Sequence, residues 1–259
     1  METLIPGADR EIALALEKSI SEAGVKVITR ASIKKISRQK GQNTVTFEHA
    51  NDFKSVSAEK VVLAVGRKPD IAALELDRIG LGHKNGALTV NEQMQTNIPH
   101  IYAAGDVVGG LMLAHKAMAE GEFAAAGVMG GKTDLKPKQI PNCIYTSPEV
   151  ASVGMTEAQA AQYQDVDAVR FPFSACATAL LMNRTFGMVK IVAEKKFGHV
   201  LGVHIIGPHA TDMIAEAVLG MLLEMTVDEL AHAVHPHPTL SEAVMEAGQM
   251  FCGGATHLP

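Results

Sequence analysis

Near the carboxyl end of the chain, His235-Pro236-His237-Pro238 biases four consecutive positions toward extended geometry. Each proline fixes its own φ at about −65°, lacks an N–H, and biases the residue before it toward extended geometry. The ring of His237 is therefore presented from a stiff turn, and a helix can begin only beyond Pro238. Thr239-Leu240-Ser241-Glu242 supplies that beginning as a capping box, with Thr239 as N-cap and Glu242 reaching back from the third helical position. Glu242 is also within reach of His237 and can orient its imidazole. On spacing alone capping is the stronger reading, but it leaves the second role open, because only one of two carboxylate oxygens need face the backbone. A cis bond between His237 and Pro238 is compatible with the sequence. His235 reads as an ordinary loop residue.

A histidine so held suits proton transfer. Imidazole titrates near neutrality, so it can take a proton from a thiol or hydroxyl and return it when a neighbour fixes its tautomer. A second segment, Thr96-Asn97-Ile98-Pro99-His100-Ile101-Tyr102-Ala103-Ala104-Gly105-Asp106, reads as an apolar strand over Ile101–Ala104 that ends in one carboxylate. Ala103, Ala104 and Gly105 are small enough to admit a bulky planar ligand, and Asp106 can accept hydrogen bonds from sugar-like hydroxyls such as those of a ribityl chain. A helix from about Ala114 to Met129 would aim its partly positive amino end at electron-rich groups nearby. The plain alternative is an aspartate bonding locally at a strand-to-loop turn.

Composition narrows the function classes. A net charge of −5 gives no electrostatic footprint for nucleic acid. No apolar run approaches the roughly 20 residues needed to cross a bilayer, and the amino end has no basic-then-apolar leader. Cys143, Cys176 and Cys252 are odd in number and widely spaced, so neither a disulfide framework nor a zinc site is expected, and a reducing, cytoplasmic setting fits.

The remaining pattern is α/β in texture, then α+β. Asp9 reads as the N-cap of a helix to about Ala23 with Ile12, Leu16 and Ile20 on one face and Gly24 ending it. Strands are expected at Val25–Ile28, Thr44–Phe47 and Val61–Val65, followed by a break at Gly66-Arg67-Lys68-Pro69-Asp70. Lys132–Lys138 reads as a linker. Beyond it, strands are expected over 166–173, 188–192 and 200–206, and an amphipathic helix over 211–225. Neither a G-x-G-x-x-G nor a P-loop occurs.

Taken together, these segments resemble the carboxyl-terminal part of the flavoprotein disulfide reductases, and most closely their dihydrolipoamide dehydrogenase branch. Leu4-Ile5-Pro6-Gly7-Ala8-Asp9 and Val65-Gly66-Arg67-Lys68-Pro69 resemble parts of that family's NAD domain. Thr96–Asp106 resembles its second FAD fingerprint, Met112-Leu113-Ala114-His115 its flavin-touching helix start, and His237 with Glu242 its acid–base dyad.

The resemblance implies an α/β remnant of a dinucleotide-binding domain (1–66), a central, FAD-contacting segment (67–138), and an α+β dimerisation domain (139–259) carrying the dyad. It implies FAD contacts at Asp106, Met112, Leu113, Ala114 and His115, and NAD contacts at Gly66 and Ile33. It further implies a homodimer that serves the lipoyl domain of a 2-oxo acid dehydrogenase or glycine cleavage complex. The family's Gly-rich loops and its C-x-x-x-x-C disulfide are absent, so the chain is expected to be a fragment. Such a fragment would be inactive alone and would bind neither cofactor tightly. Glutathione or mercuric reductase types, and a non-catalytic dimerisation module, are the alternatives.

Overall fold

A computed structural model of the chain describes residues 1–39, 41–131, 139–163 and 165–258; the expected linker Lys132–Lys138 lies outside them. The chain forms two compact units, one built from Met1–Val61 together with the residues from Pro141 onward, the other from Val62–Ile140.

The first unit opens with helix α1, Arg10–Glu22. Asp9 caps it as the sequence predicts, Oδ1 accepting from the Glu11 N–H at 3.0 Å. Gly24 leaves it with φ 88°, a left-handed conformation that glycine adopts without strain. Ile12 and Leu16 are buried on one face, with Ile20 packed beside them. Strands β1 (Ser32–Gln39), β2 (Gln42–His49) and β3 (Asp52–Ala58) follow as an antiparallel meander. The expected alternation at Thr44–Phe47 lies in β2, but Val25–Ile28 and Val61–Val65 are not strands. A strand exists only through its partner, and among the described residues neither run has one. Val62, Leu63 and Val65 are accordingly exposed.

The second unit holds helix α2 (Leu76–Ile79), a small hairpin of β4 (His83–Lys84) and β5 (Ala87–Leu88), and helix α3 (Ala114–Val128). The expected strand at Ile101–Ala104 is reduced to one bridge, Gln95 to Tyr102. Its apolar residues instead fill a small core, Ala103 and Ile101 packing with Leu76, Leu81 and Leu88.

From Pro141 the first unit resumes. It comprises β6 (Asn142–Ile144), β7 (Glu149–Gly154), α4 (Glu157–Ala160), β8 (Val166–Pro172), α5 (Ala177–Leu181), β9 (Met188–Glu194) and β10 (Val200–Gly207). Helices α6 (Ala210–Leu222), α7 (Val227–His232) and α8 (Glu242–Phe251) complete it. The strands form one antiparallel sheet in the order β6-β7-β10-β9-β8, with Val203 opposite Ile191 and Ile205 opposite Val189.

Both faces of this sheet are covered, which is why its strands read as almost unbroken apolar runs. Side chains alternate between faces. Val189, Ile191, Val203 and Ile205 point into the larger core with Ile214 of α6, Leu230 of α7 and Val244 of α8. On the other face Ile206 and Val150 meet Ile12 and Leu16 of α1, while Val192 meets Ala160 of α4. The expected strands over 166–173, 188–192 and 200–206 are β8 to β10, and the expected amphipathic helix is α6.

Lys190 points to the α1 face and is almost wholly buried, its side chain 2% exposed. Its ammonium contacts both oxygens of Asp9 at 2.9 Å, Glu11 at 2.9 Å and Glu157 at 2.8 Å. Arg170 shares Glu11 at 2.7 Å and also Glu157. Burial alone would raise the pKa of Asp9 and of Glu11. Lys190 outweighs burial at Asp9, as Arg170 and Lys190 do at Glu11, and both acids sit below their ordinary values. The stability these carboxylates contribute is thus complete above their unfolded values, 3.8 and 4.5, and lost as pH falls through the lower folded ones.

Replacing Lys190 with Met removes the ammonium from the buried Asp9 and leaves Glu11 and Glu157 to Arg170 alone. It should cost about 3 kcal/mol or more in urea unfolding at neutral pH. The deficit should narrow as pH falls from about 4 through the lowered folded values of Asp9 and Glu11, where the wild-type pairs are themselves protonated away.

Candidate active site

Helix α7 ends at His232, and the chain turns through His235-Pro236-His237-Pro238 before α8 begins at Glu242. The His237–Pro238 bond is cis. The turn is fastened on both sides of His237. Ahead of it, His235 is no idle loop residue, since its side chain is only 6% exposed. Its Nδ1–H donates to the Ala233 carbonyl at 2.8 Å, and its Nε2 lies 2.7 Å from the carboxylate of Glu216 on α6. Behind it, the Thr239 hydroxyl donates to the Pro236 carbonyl at 2.9 Å, and the Cys176 thiol donates to the Thr239 carbonyl.

Glu242 fills the roles that the sequence left open. Oε2 accepts the Thr239 N–H at 2.7 Å, the reach-back half of a capping box, while Oε1 lies 2.8 Å from His237 Nδ1. The other half of the box is missing, because the Thr239 hydroxyl is turned to Pro236 and the helix starts later, with Ser241 as its N-cap. Burial pushes the Glu242 carboxyl up, but the Thr239 N–H and His237 push it down further, so it rests below its ordinary range. An ionised Glu242 accepts only, which fixes the His237 proton on Nδ1 and leaves Nε2 as the basic nitrogen. The ring is 65% exposed and so open to a substrate. A poised carboxylate, a fixed tautomer and an accessible ring are the components of a general base.

In the second unit Asp106 sits in a 3₁₀ turn, Gly105–Val108, packed against the start of α3. Gly105 has φ 82°, and a Cβ there would lie 3.2 Å from Ala117, so this close approach requires glycine. Glu120, which sequence reasoning missed, accepts the Gly105 N–H at 2.8 Å and pairs with Lys116 at 2.5 Å. Arg67, also missed, lies 3.0 Å from the Asp106 carboxylate. Met112 and Leu113 are half-buried at the entry to α3, with Ala114 and His115 exposed in its first turn. The small residues, the glycine held by Glu120 and the half-exposed Asp106 fit one wall of a flavin site.

Of the expected NAD contacts, Gly66 has φ 114° and nothing within 4 Å of where a side chain would begin, and Ile33 is an exposed residue of β1.

The cysteines are not redox partners of one another. All three are free. Burial, with Asp228 beside it, pushes Cys252 up to about 11, and burial with Glu149 raises Cys143. Neither is the low-pKa thiol that disulfide chemistry needs. Among the described residues no cluster of His, Cys, Asp and Glu is suited to a metal ion.

Against known families, the pyridine nucleotide-disulphide oxidoreductase model matches residues 1–121, and the dimerisation-domain model of the same family matches residues 140–248. The chain belongs to the pyridine nucleotide-disulphide oxidoreductases, a family of flavoprotein disulfide reductases. Within it the chain is similar to dihydrolipoyl dehydrogenases: 41% identical to one from Bacillus subtilis over 99% of this chain and 56% of that protein, and 38% identical to one from Geobacillus stearothermophilus over 98% and 55%. It thus spans about half the length of the curated relatives it matches. Among solved structures, LpdA of Mycobacterium tuberculosis superimposes with a TM-score of 0.86 at 29% identity, covering 95% of this chain and 53% of that one. The HOCl-induced flavoprotein disulfide reductase RclA of Escherichia coli gives 0.87 at 26%, covering 96% and 58%.

The two oxygens of Glu242 have different tasks, and glutamine cannot perform both, because its single carbonyl oxygen serves either Thr239 or His237. Glu242→Gln should cost about 1–2 kcal/mol of stability in denaturant unfolding and lower the His237 midpoint in an NMR titration.

Proposed function

We propose that the chain is the carboxyl-terminal part of an FAD-dependent dihydrolipoamide dehydrogenase, which oxidises dihydrolipoamide to lipoamide with NAD as acceptor. The observation that carries this reading is the 2.8 Å contact between His237 and Glu242 on a turn fastened at both ends. The similarity to dihydrolipoyl dehydrogenases along nearly the whole chain supports the substrate. In this reading residues 1–66 belong to the NAD-binding domain, 67–138 to the central segment and 139–259 to the dimerisation domain. The protein works as a cytoplasmic homodimer receiving the lipoyl domain of a 2-oxo acid dehydrogenase or glycine cleavage complex.

His237 Nε2 takes the proton of a dihydrolipoamide thiol, and Glu242 stabilises the imidazolium that results. The substrate thiolate then attacks a cysteine disulfide supplied from outside this chain, forming a mixed disulfide and releasing one cysteine thiolate. Attack by the second substrate sulfur closes lipoamide and frees the other cysteine. A free thiol is only a few per cent ionised at neutral pH, so a base accelerates the first step. FAD, when bound, would supply an acceptor for the cysteines' electron pair, with NAD as the final acceptor. Asp106 and the segment Met112–His115 would hold the flavin from one side.

In the full-length parent, His237→Gln should lower dihydrolipoamide oxidation about 10²–10⁴-fold. A separate assay with a disulfide-independent electron acceptor should be largely spared. The 259 residues alone should show no NAD-linked oxidation of dihydrolipoamide; robust turnover by them would sink the reading.

One observation favours a second role for the chain by itself, as a dimerisation module. Leu180, Leu181, Leu219, Leu222, Leu223 and Val234 are exposed on the first unit, apolar side chains of the kind an interface covers. Sedimentation at micromolar concentration should therefore give a dimer, whereas a strict monomer would exclude the module.

A further inference from the structure

One turn beyond Glu242 on α8 stands a second carboxylate, Glu246, whose side chain is 2% exposed. Its Oε1 lies 2.5 Å from Nδ1 of His257, and its Oε2 takes the His257 backbone N–H at 3.3 Å. The tail carrying His257 is fixed further: the Thr256 hydroxyl donates to Gln249 at 3.0 Å, and Ala255 and Leu258 pack against the main core. Glu246 and His257 thus repeat the carboxylate–imidazole arrangement of the dyad.

The two pairs border one cavity. Phe171, Cys176, His237, Glu242, Glu246 and His257 all line it, and at about 10 Å³ it is at the lower limit for a single water. Its titratable groups are Cys176, His237, Glu242, Glu246 and His257, with no lysine or arginine on its walls. Glu246 is buried, and His257 is the basic partner those walls supply. The second pair therefore faces the first across protein and about one water, while both rings also meet solvent, which weakens the coupling.

We propose that Glu246 and His257 are positioning residues for the base, a second couple that closes the cavity behind His237 and balances the charge it sees. This rests on the reading of His237 as the base. In the intact couple Glu246 offsets His257, which lies near enough to Glu242 to help hold its carboxyl down. Broken on one side, the couple places an unbalanced charge beside the ring. Loss of His257 leaves the Glu246 anion, which favours the protonated form of His237. Loss of Glu246 leaves the His257 cation, which disfavours it. A purely structural tail would act otherwise, both losses loosening the same contact and moving His237 in the same direction.

The test is an NMR titration of the ring Cε1–H of His237 in the 259-residue chain. His257→Gln should raise the His237 midpoint by about 0.3–0.5 pH unit and Glu246→Gln should lower it by about as much, sizes set by both rings being more than half exposed. The double variant should return to within about 0.1 unit of wild type, the mark of one pair acting as a unit. No shift, or shifts of the same sign, would overturn the proposal. Glu246 is buried and its variant can fail to fold, in which case the exposed His257 site decides alone, an upward shift supporting the couple and none or a downward one overturning it. In the full-length parent the acidic limb of the kcat/KM profile for dihydrolipoamide should follow the same signs. Failure to oxidise dihydrolipoamide would remove the functional reading, while the titration would still decide whether the couple acts on His237.

Discussion

A lysine ammonium buried in the middle of a sheet dictates what must stand over it. Lys190 alternates out of the larger core because its neighbours Val189 and Ile191 point into it, and on the opposite face only carboxylates make its burial tolerable. Those carboxylates come from the N-cap of α1, the first turn of α1 and the start of α4. Asp9 thus both caps a helix and neutralises a charge on a strand 181 residues away. That shared residue joins Met1–Val61 to the sheet as one unit, although the sequence reads as separate segments. Apolar contact of Ile12 and Leu16 with Val150 and Ile206 supplies area around the ions, while the ions set which way α1 lies.

Glu242 works in the same manner, one side chain meeting a folding requirement and a chemical one. The first residue of α8 accepts the Thr239 N–H of the turn ahead of it and also fixes the tautomer of His237. The geometry of the His237 ring is then inherited from the start of α8. His235 extends the constraint to α6 through Glu216. The exposed ring of His237 is consequently held by buried neighbours, which reconciles access with rigidity.

Much of this was legible in the residues because it depends on local rules. Asp9 before an apolar stripe, Gly24 after it, the paired prolines and the Thr239–Glu242 spacing each act over four or five residues, and α1, α3, α6 and the dyad lie where those rules put them. What escaped notice depends on partners distant in sequence. Glu216 is nineteen residues from His235 on another helix, and no spacing marks it. Glu120 carried a faint signal, four residues after Lys116, yet its bond to Gly105 could not be inferred. Val61–Val65 has the composition of a buried strand but lacks a ladder partner among the described residues, so composition promised what pairing did not deliver. The Thr239–Glu242 contact was legible, but the box around it was not, because the Thr239 hydroxyl turns to the Pro236 carbonyl and the helix starts later, with Ser241 as its N-cap.

The same chemistry explains why a base sits beside cysteines that take no part in its reaction. Cys176 is buried and donates to the Thr239 carbonyl, so its thiol serves the turn that carries His237. Cys252, pushed up to about 11, is a thiol at any physiological pH. A general base is of use only to a thiol that must become a thiolate, and these have either a structural bond or no means of ionising. On the proposed reading the sulfur that His237 ionises therefore arrives with the substrate. Proton transfer is then resident in this chain, and electron transfer begins at a disulfide supplied from beyond it.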